Sequence, residues 1–530
     1  MFSRRVLLAF IMLVLSRSGE GQVFRSDDPL KIDNDTKRIA KPLRRKINDY
    51  YDFLENTFLK PGDRKSVRAV NVNTLGEVPD SSWFTNRIGT IPITPQSLTQ
   101  AANRGTGPVG PLTIVEGKTQ GVTPGFRVQD SKGEVYFIKF DPATNPEMAT
   151  AAEMISSKFY YALGYNVAEY YIVNFNLEDL KISAEAKVTN ELDEQKPLTR
   201  QFVEKLLSTI ARNSDGSIRA MASKLIPGGI GPFKFYGTRA DDGNDLFPHE
   251  HRRELRGYYI FCSWLNHDDS RSINTLDAYD EQGFVKHYLL DFGSTLGSGS
   301  VIAQKLRPGN EYMWEAGPTF GRLFSLGLWM PGWVSVRYPN YPSLGRIESE
   351  FFQPHKWKPE YPNAAFLNMD VEDAFWATRL LMMFTDDDIR LATSTGKLSN
   401  PEAEAYLSRI LIERRNKIGN YWLRQVSSLD GFLVTDGSLL FEDLLVKYGF
   451  EQKRRSHKVS FSAFDNANGN RKDLGGSVET DSTTVSLPAS LTTAPENSFF
   501  VVTLSANTHA TDVFLKRTAG ALRIVGVQRK

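Results

Sequence analysis

From residue 111 the chain alternates apolar and polar positions in short runs. "PLTIVEGK", "FRVQDS" and "EVYFIKF" each read as a strand rich in aromatic and β-branched residues. The first two flank the turn "TQGVTPG", and Lys132-Gly133 turns the chain into the third. "NPEMATAAEMISSKFYYALG" then takes a helical period. Asn145 suits its N-cap, Pro146 its first helical position and Gly164 its stop. "YNVAEYYIVNF" returns to strand, and a charged segment follows with a predicted helix in "TRQFVEKLLSTIARN". The glycine-rich connector "PGGIGP" (227–232) closes this stretch.

Beyond the connector the period is helical. "HEHRRELRGYYIFCSWL" sets Leu255, Tyr258, Tyr259, Cys262 and Leu265 on one face. "DVEDAFWATRLLMMF", "TDDDIRLATSTG" and "NPEAEAYLSRILIERRNKIG" follow. The last two have starts at Thr385 and Asn400-Pro401 and glycine stops at Gly396 and Gly419. The order predicts an α+β fold of two lobes, one β-rich and one helical, with a cleft between them. Residues 23–110 read as a polar N-terminal extension ending in the linker "NRGTGPVGP". One helix is predicted there, "TKRIAKPLRRKINDYYDFLENTF", interrupted by Pro42. After a connecting segment at 431–456, the runs "KVSFSAF", "TTVSLPAS", "FFVVTLSA", "DVFLKR" and "LRIVGVQR" predict a small all-β domain over 457–530.

A length of 530 residues calls for more than one domain. The 64 basic and 62 acidic side chains nearly cancel, so no basic surplus points to nucleic acid. The single cysteine, Cys262, rules out an internal disulfide and cysteine-pair metal sites, and its apolar helical surroundings make it a core residue. The N-terminus has the layout of a signal peptide over residues 1–22. Arg4 and Arg5 precede an apolar run from Val6 to Leu15, and Ser16, Ser18, Gly19 and Gly21 follow. That run is too short to cross a bilayer, which takes roughly 20 residues. Export to a periplasm, cell surface or medium is therefore expected, with no membrane span in the mature chain.

Candidate chemistry concentrates in "NHDDSRSINTLDAYDEQGFVKHYLLDFGSTLG" (266–297). Phosphoryl transfer needs a carboxylate to orient and deprotonate a hydroxyl, oxygen ligands for magnesium and a cation on the phosphates. Asp269 and Asn274 stand five apart with His267 ahead of them, the spacing of H-x-D-x-x-x-x-N, and Asp291-Phe292-Gly293 follows as D-F-G. A hairpin of "TLDAY" and "FVKHYLL" around "DEQG" would set Asn274 and Asp291 side by side as ligands of one metal ion. Lys139, near the end of the third strand, is the candidate cation. Glu153 is its candidate partner, because Glu147 near the helix start is accounted for by the helix dipole. Gly121 and Gly125 belong to the candidate phosphate loop, with Gly117 before them. Elsewhere, His249 and His251 lack a third metal ligand, and Asp386, Asp387 and Asp388 suit a helix N-terminus.

These residues, taken in order, resemble the atypical protein-kinase-like superfamily over about 111–425, especially its HipA-like and spore-coat-kinase-like branches. "AAEMISSKFYYALGYNVAEYY" has the form of the acid-bearing first helix of HipA-like proteins. The resemblance implies a two-lobed kinase-like domain over 111–430 and an ATP- and Mg2+-dependent phosphotransferase with a protein, sugar or small-molecule acceptor. It implies Asp269 and His267 in catalysis, Lys139, Glu153, Gly121 and Gly125 around the nucleotide, and Asn274 and Asp291 on the metal. The chain departs from the kinase pattern in lacking G-x-G-x-x-G over the phosphates. That departure, with export away from cytoplasmic ATP, motivates the alternative of a non-catalytic kinase-fold (pseudokinase) envelope or surface binding protein.

Overall fold

The computed structural model describes residues 22–29, 35–117, 124–189, 195–325, 330–453, 455–506 and 508–530. The apolar run of the expected signal peptide lies outside them, as does Gly121. Among the described residues no helix is long and apolar enough to cross a membrane. The chain divides into two units. One comprises Asp33–Asn71 and Val78–Trp422, the other Met1–Ile32, Val72–Glu77 and Leu423–Lys530.

The larger unit contains a seven-stranded sheet. Its strands are β1 (Leu112–Gly117), β2 (Gly125–Gln129), β3 (Val135–Phe140), β4 (Tyr170–Phe175), β5 (Leu180–Thr189), β6 (Gln195–Pro197) and β7 (Ile218–Lys224), in the order β4-β7-β3-β2-β1-β5-β6. All neighbours are antiparallel except β1 and β5. One face is apolar: Ile114, Phe126, Val128, Ile138, Phe140 and Ile218 are buried together. Burying each such side chain is worth about 1.5–3 kcal/mol.

Helix α1 (Met148–Leu163) follows β3, and Gly164 closes it at φ 120. It starts two residues later than the sequence suggests, because its cap comes from the preceding strand's end. Asp141 Oδ1 accepts the N–H groups of Ala149 at 2.8 Å and Thr150 at 3.0 Å, and Oδ2 takes the Thr150 hydroxyl at 2.5 Å. Arg219 on β7 adds a second tie. It donates to Thr150 Oγ1 at 3.0 Å and to the carbonyls of Lys397 and Gly396 at 2.7 and 2.6 Å. A short helix, α2 (Arg200–Leu207), covers the sheet core with Val203 and Leu207.

The rest of the unit carries the helices α3 (Arg253–Leu265), α4 (Val371–Met382), α5 (Asp386–Ser394) and α6 (Pro401–Trp422), with long irregular segments between α3 and α4. Between α3 and α4 stands one hairpin of β8 (Thr275–Tyr279) and β9 (Val285–Leu289). Helix α6 passes the expected stop at Gly419 and ends at Trp422. The extension does not form the long helix the sequence suggests. Within that stretch only Asp49–Leu54 is α-helical, continued by a wider turn over Glu55–Leu59. Residues 35–48 instead form a strap whose backbone bonds go to distant partners. Ile39 N–H donates to Gly283 O at 3.0 Å and Arg45 N–H to Ile230 O at 2.8 Å. The crossing is tight at Gly231 (φ 95), where a methyl would overlap the Arg45 carbonyl.

The C-terminal stretch of the smaller unit starts at Leu423, earlier than the boundary at 457 expected from the sequence. Strands β10 (Leu429–Thr435) and β11 (Ser438–Asp443) lie within the segment taken as kinase-like domain and connector. They bury Leu429, Leu439 and Phe441 in one core with Val459, Phe461, Val502 and Leu515. That shared core is why the boundary moves. A six-stranded sheet completes the unit: β12 (His457–Phe464), β13 (Arg471–Asp473), β14 (Val478–Thr480), β16 (Phe499–Ala506), β17 (His509–Thr518) and β18 (Ala521–Arg529). The remaining strand, β15 (Thr484–Ser486), pairs with β11. Phe24 joins from the other end of the chain, its ring 5.0 Å from that of Phe514 and 5.9 Å from that of Phe464.

Candidate functional site

Alternation along β3 delivers Lys139. Tyr136, Ile138 and Phe140 enter the core, so Lys139 projects from the opposite face. Its Nζ lies 2.9 Å from Glu153 Oε1 and 2.7 Å from Asp291 Oδ1. Glu153 stands on α1 at 2% exposure, whereas Asp291 is 41% exposed. Burial alone would pull the Lys139 ammonium down. The carboxylates of Asp291 and Glu153 outweigh it and hold the pKa above its ordinary value, so the cation is permanent.

The β8–β9 hairpin delivers the second half. Thr275 pairs with Leu289, and Leu290 N–H donates to the Asn274 carbonyl at 2.9 Å. Asn274 and Asp291 therefore stand beside each other at the open end of the hairpin. Asp291 takes a left-handed backbone (φ 56, ψ 66), a conformation aspartate tolerates better than most side chains. A tight turn over Phe292–Ser294 follows and brings Ser294 to Asp269. The Ser294 hydroxyl donates to Asp269 Oδ2 at 3.1 Å.

Asp269 lies in the loop after α3, which Asn266 ends in the left-handed region at φ 50. The loop is fastened on itself. Asn274 Nδ2 donates to the Asp269 carbonyl at 2.7 Å, as does Arg271 N–H at 2.9 Å. The Arg271 guanidinium pairs with the Asp269 carboxylate. Burial pushes the Asp269 carboxyl up to about 6; Arg271 opposes the shift, and Glu360 and Asp291 add to it.

His267, expected with Asp269 in catalysis, faces inward instead. It is 1% exposed, and its Nδ1 meets the hydroxyls of Tyr160 on α1 and Tyr258 on α3, each at 3.0 Å. Its ring packs edge-on against Phe292 at 5.9 Å. Burial drives its pKa down to about 3, so the imidazole is neutral. It braces the loop from its buried side, between Tyr160, Tyr258 and Phe292.

Gly125, expected to touch the nucleotide, has a sheet-based reason to be glycine. It pairs with Lys139 across β2–β3, and a methyl there would overlap the Ile138 carbonyl oxygen. Gly293 differs, since a methyl there would meet Glu153 Oε2 only at 3.6 Å.

Sequence reasoning passed over three residues of this site. Arg271 lies in the singled-out loop, two positions after Asp269. Ser294 directly follows the D-F-G run. Gln304 donates to Asp268 Oδ1 and, at 3.1 Å, to the Ser294 carbonyl. Only Arg271 carried a visible signal, a cation inside an acid-rich loop. Among the described residues no three His, Cys, Asp or Glu side chains gather as an all-protein metal cage. The donor pair of Asn274 amide and Asp291 carboxylate is hard and oxygen-based. It suits a cation such as Mg2+, which takes one or two protein ligands and completes its shell with phosphate and water.

No family model matches the chain, and no curated protein matches it. Among solved structures it is similar to a Helicobacter pylori proinflammatory kinase, CtkA, at 12% identity over 57% of this chain and 94% of that one, with a TM-score of 0.30. It is also similar to the Golgi casein kinase, at 10% identity over 76% of this chain and 96% of that one, with a TM-score of 0.31. Both are kinases; at these scores neither likeness carries weight beside the site geometry.

Proposed function

We propose that the chain is an exported, ATP- and Mg2+-dependent phosphotransferase of the atypical protein-kinase-like type, read with its HipA-like and spore-coat-kinase-like branches. The observation that carries this is the Lys139 ammonium held between a helical acid and the D-F-G acid, Glu153 and Asp291, with Asn274 and Asp269 fastened to the same hairpin. In this reading the seven-stranded sheet and α1 form one lobe, and α3 to α6 with the hairpin form the other.

The roles follow from position. Lys139, fixed by two carboxylates, orients the phosphates. Asn274 and Asp291 would hold Mg2+, which when bound neutralises charge on the β- and γ-phosphates. Asp269 orients the acceptor hydroxyl by accepting its hydrogen bond. As the acceptor oxygen bonds to the γ-phosphorus and the bond to the ADP oxygen breaks, the hydroxyl proton passes to Asp269. A carboxyl near pKa 6 remains mostly ionised at neutral pH and can take that proton. Glu153 and His267 touch no reactant; they position Lys139 and the loop.

Titration calorimetry with Mg-ATP, followed by assay of ADP formation, tests the proposal. One binding event per chain that requires Mg2+ is expected. No binding at millimolar nucleotide would remove the reading, and binding without ADP formation would leave the non-catalytic alternative. Gly125→Ala gives a second check. Pushing β2 off Ile138 costs about 1–3 kcal/mol as an overpacking change. It also displaces the paired Lys139, so weaker Mg-ATP binding should accompany a lower urea midpoint. Normal values of both would show that the Gly125–Lys139 pairing is unimportant.

A further inference from the structure

The strap of the N-terminal extension, taken together with the helical segment Asp49–Leu59 that ends it, reaches the loop that holds Asp269. Asp49, the first residue of the short helix Asp49–Leu54, places Oδ1 2.8 Å from Arg271 Nη1. The same guanidinium pairs through Nε with Asp269 and through Nη1 with Glu360 Oε2 at 3.4 Å. Further contacts lock the strap to this spot. Asp52, 1% exposed, accepts the Tyr361 hydroxyl at 2.6 Å, and Glu360 N–H donates to the Asp268 carbonyl at 2.8 Å. Lys234 ties Glu55 at 3.0 Å one turn further on.

We propose that Asp49 is a positioning residue of the phosphotransfer site: it aims the Arg271 guanidinium at Asp269, so that the strap is part of the acceptor side of the site. The inference rests on the phosphotransferase reading above. Asp49 is 48% exposed, and an ion pair so open to water adds little to stability, about 0–1 kcal/mol. Its partner, however, lies against the carboxylate that must meet the acceptor hydroxyl, where small misplacements cost far more in rate than in stability. Without Asp49, Arg271 has only Asp269 and Glu360 to choose between, and its pull on Asp269 changes direction.

Asp49→Asn and Asp49→Glu in the full chain test this, with Mg-ATP as the probe and water as the acceptor. For Asp49→Asn, kcat of ADP formation should fall about tenfold while KM for ATP stays within about twofold. Tm should hardly move, and Asp49→Glu should restore most of the rate. Amide hydrogen exchange across 268–274 supplies a readout without chemistry; it should quicken in Asp49→Asn and return to the wild-type rate in Asp49→Glu. Unchanged exchange and unchanged kcat would overturn the proposal. So would a fall in kcat that accompanies a lower Tm and is not rescued by Glu, since that marks a purely structural contact. If the wild type binds no Mg-ATP, the phosphotransferase reading fails separately. Exchange then decides alone whether the strap holds the loop, and unchanged exchange sinks the proposal.

Discussion

Asp269→Asn should leave Mg-ATP affinity within about twofold and lower phosphoryl transfer by about 10²–10⁴-fold, the usual contribution of a general base. Asp291→Asn should do the opposite first. It removes a charge from both the Lys139 pair and the proposed metal ligands, so Mg-dependent nucleotide affinity should fall before turnover is considered. The structure supplies the reason for the contrast. Asp291 touches Lys139 at 2.7 Å, whereas the Asp269 carboxylate is engaged by Arg271 and Ser294. Calorimetry with Mg-ATP and an ADP-release assay on both variants separate the roles. Identical behaviour of the two in both measurements would cancel the assignment, and wild-type turnover in both would cancel the kinase reading.

Lys139→Met should abolish productive nucleotide binding and also destabilise the fold. From the sequence, methionine looks well tolerated, because it replaces the apolar stem of a lysine near a strand end. The structure adds a cost, since Glu153 is 2% exposed and would lose the ammonium beside it. Breaking a buried ion pair by removing one partner costs about 3–5 kcal/mol, and the other interactions of Glu153 place this case at the lower end. Lys139→Met/Glu153→Gln should recover much of that stability, because a neutral amide is cheaper to bury than an orphaned carboxylate. It should recover no nucleotide use. Urea denaturation of the single and double variants checks the first point, and calorimetry checks the second. A double variant no more stable than the single one would show that an orphaned Glu153 carboxylate does not carry the cost assigned to it.

What could be read from the sequence was what depended on short range. The alternation in "VYFIKF" places Lys139 opposite Ile138, and the turn at "DEQG" sets the hairpin that joins Asn274 to Asp291. The misreadings share a physical origin in partners far along the chain. Strand β5 carries a period-two pattern in Leu180, Ile182, Ala186 and Val188, but the charges between them read as a solvated segment until β1 is placed alongside. Asn145 and Pro146 look like a helix start, yet Asp141 supplies the cap from the strand. Leu439 and Phe441 look like a connector's residues until Val459 and Val502 close over them. His267 fits a catalytic spacing, and only Tyr160 and Tyr258 reveal which way its ring points. The grip of Asp49 on Arg271 spans 222 positions and leaves no trace in local pattern.

The double anchoring of the first turn of α1 bears on how such a site could be controlled. A helix that carries the acid partner of a phosphate-binding lysine can serve as a lever, since swinging it outward separates the pair and silences the site. Here the lever is bolted at its root. Asp141, two residues beyond Lys139 on the same backbone, holds the N–H groups of Ala149 and Thr150, and Arg219 fastens Thr150 to the carbonyls of Gly396 and Lys397. Each hydrogen bond to a charged group is worth about 1.5–3 kcal/mol, so an outward swing would have to break several at once. Strand end and helix must travel together, carrying Lys139 and Glu153 as one rigid tooth. Any on–off control of this site is therefore expected to act on the Asp269 side, leaving the lysine–glutamate pair closed in both states.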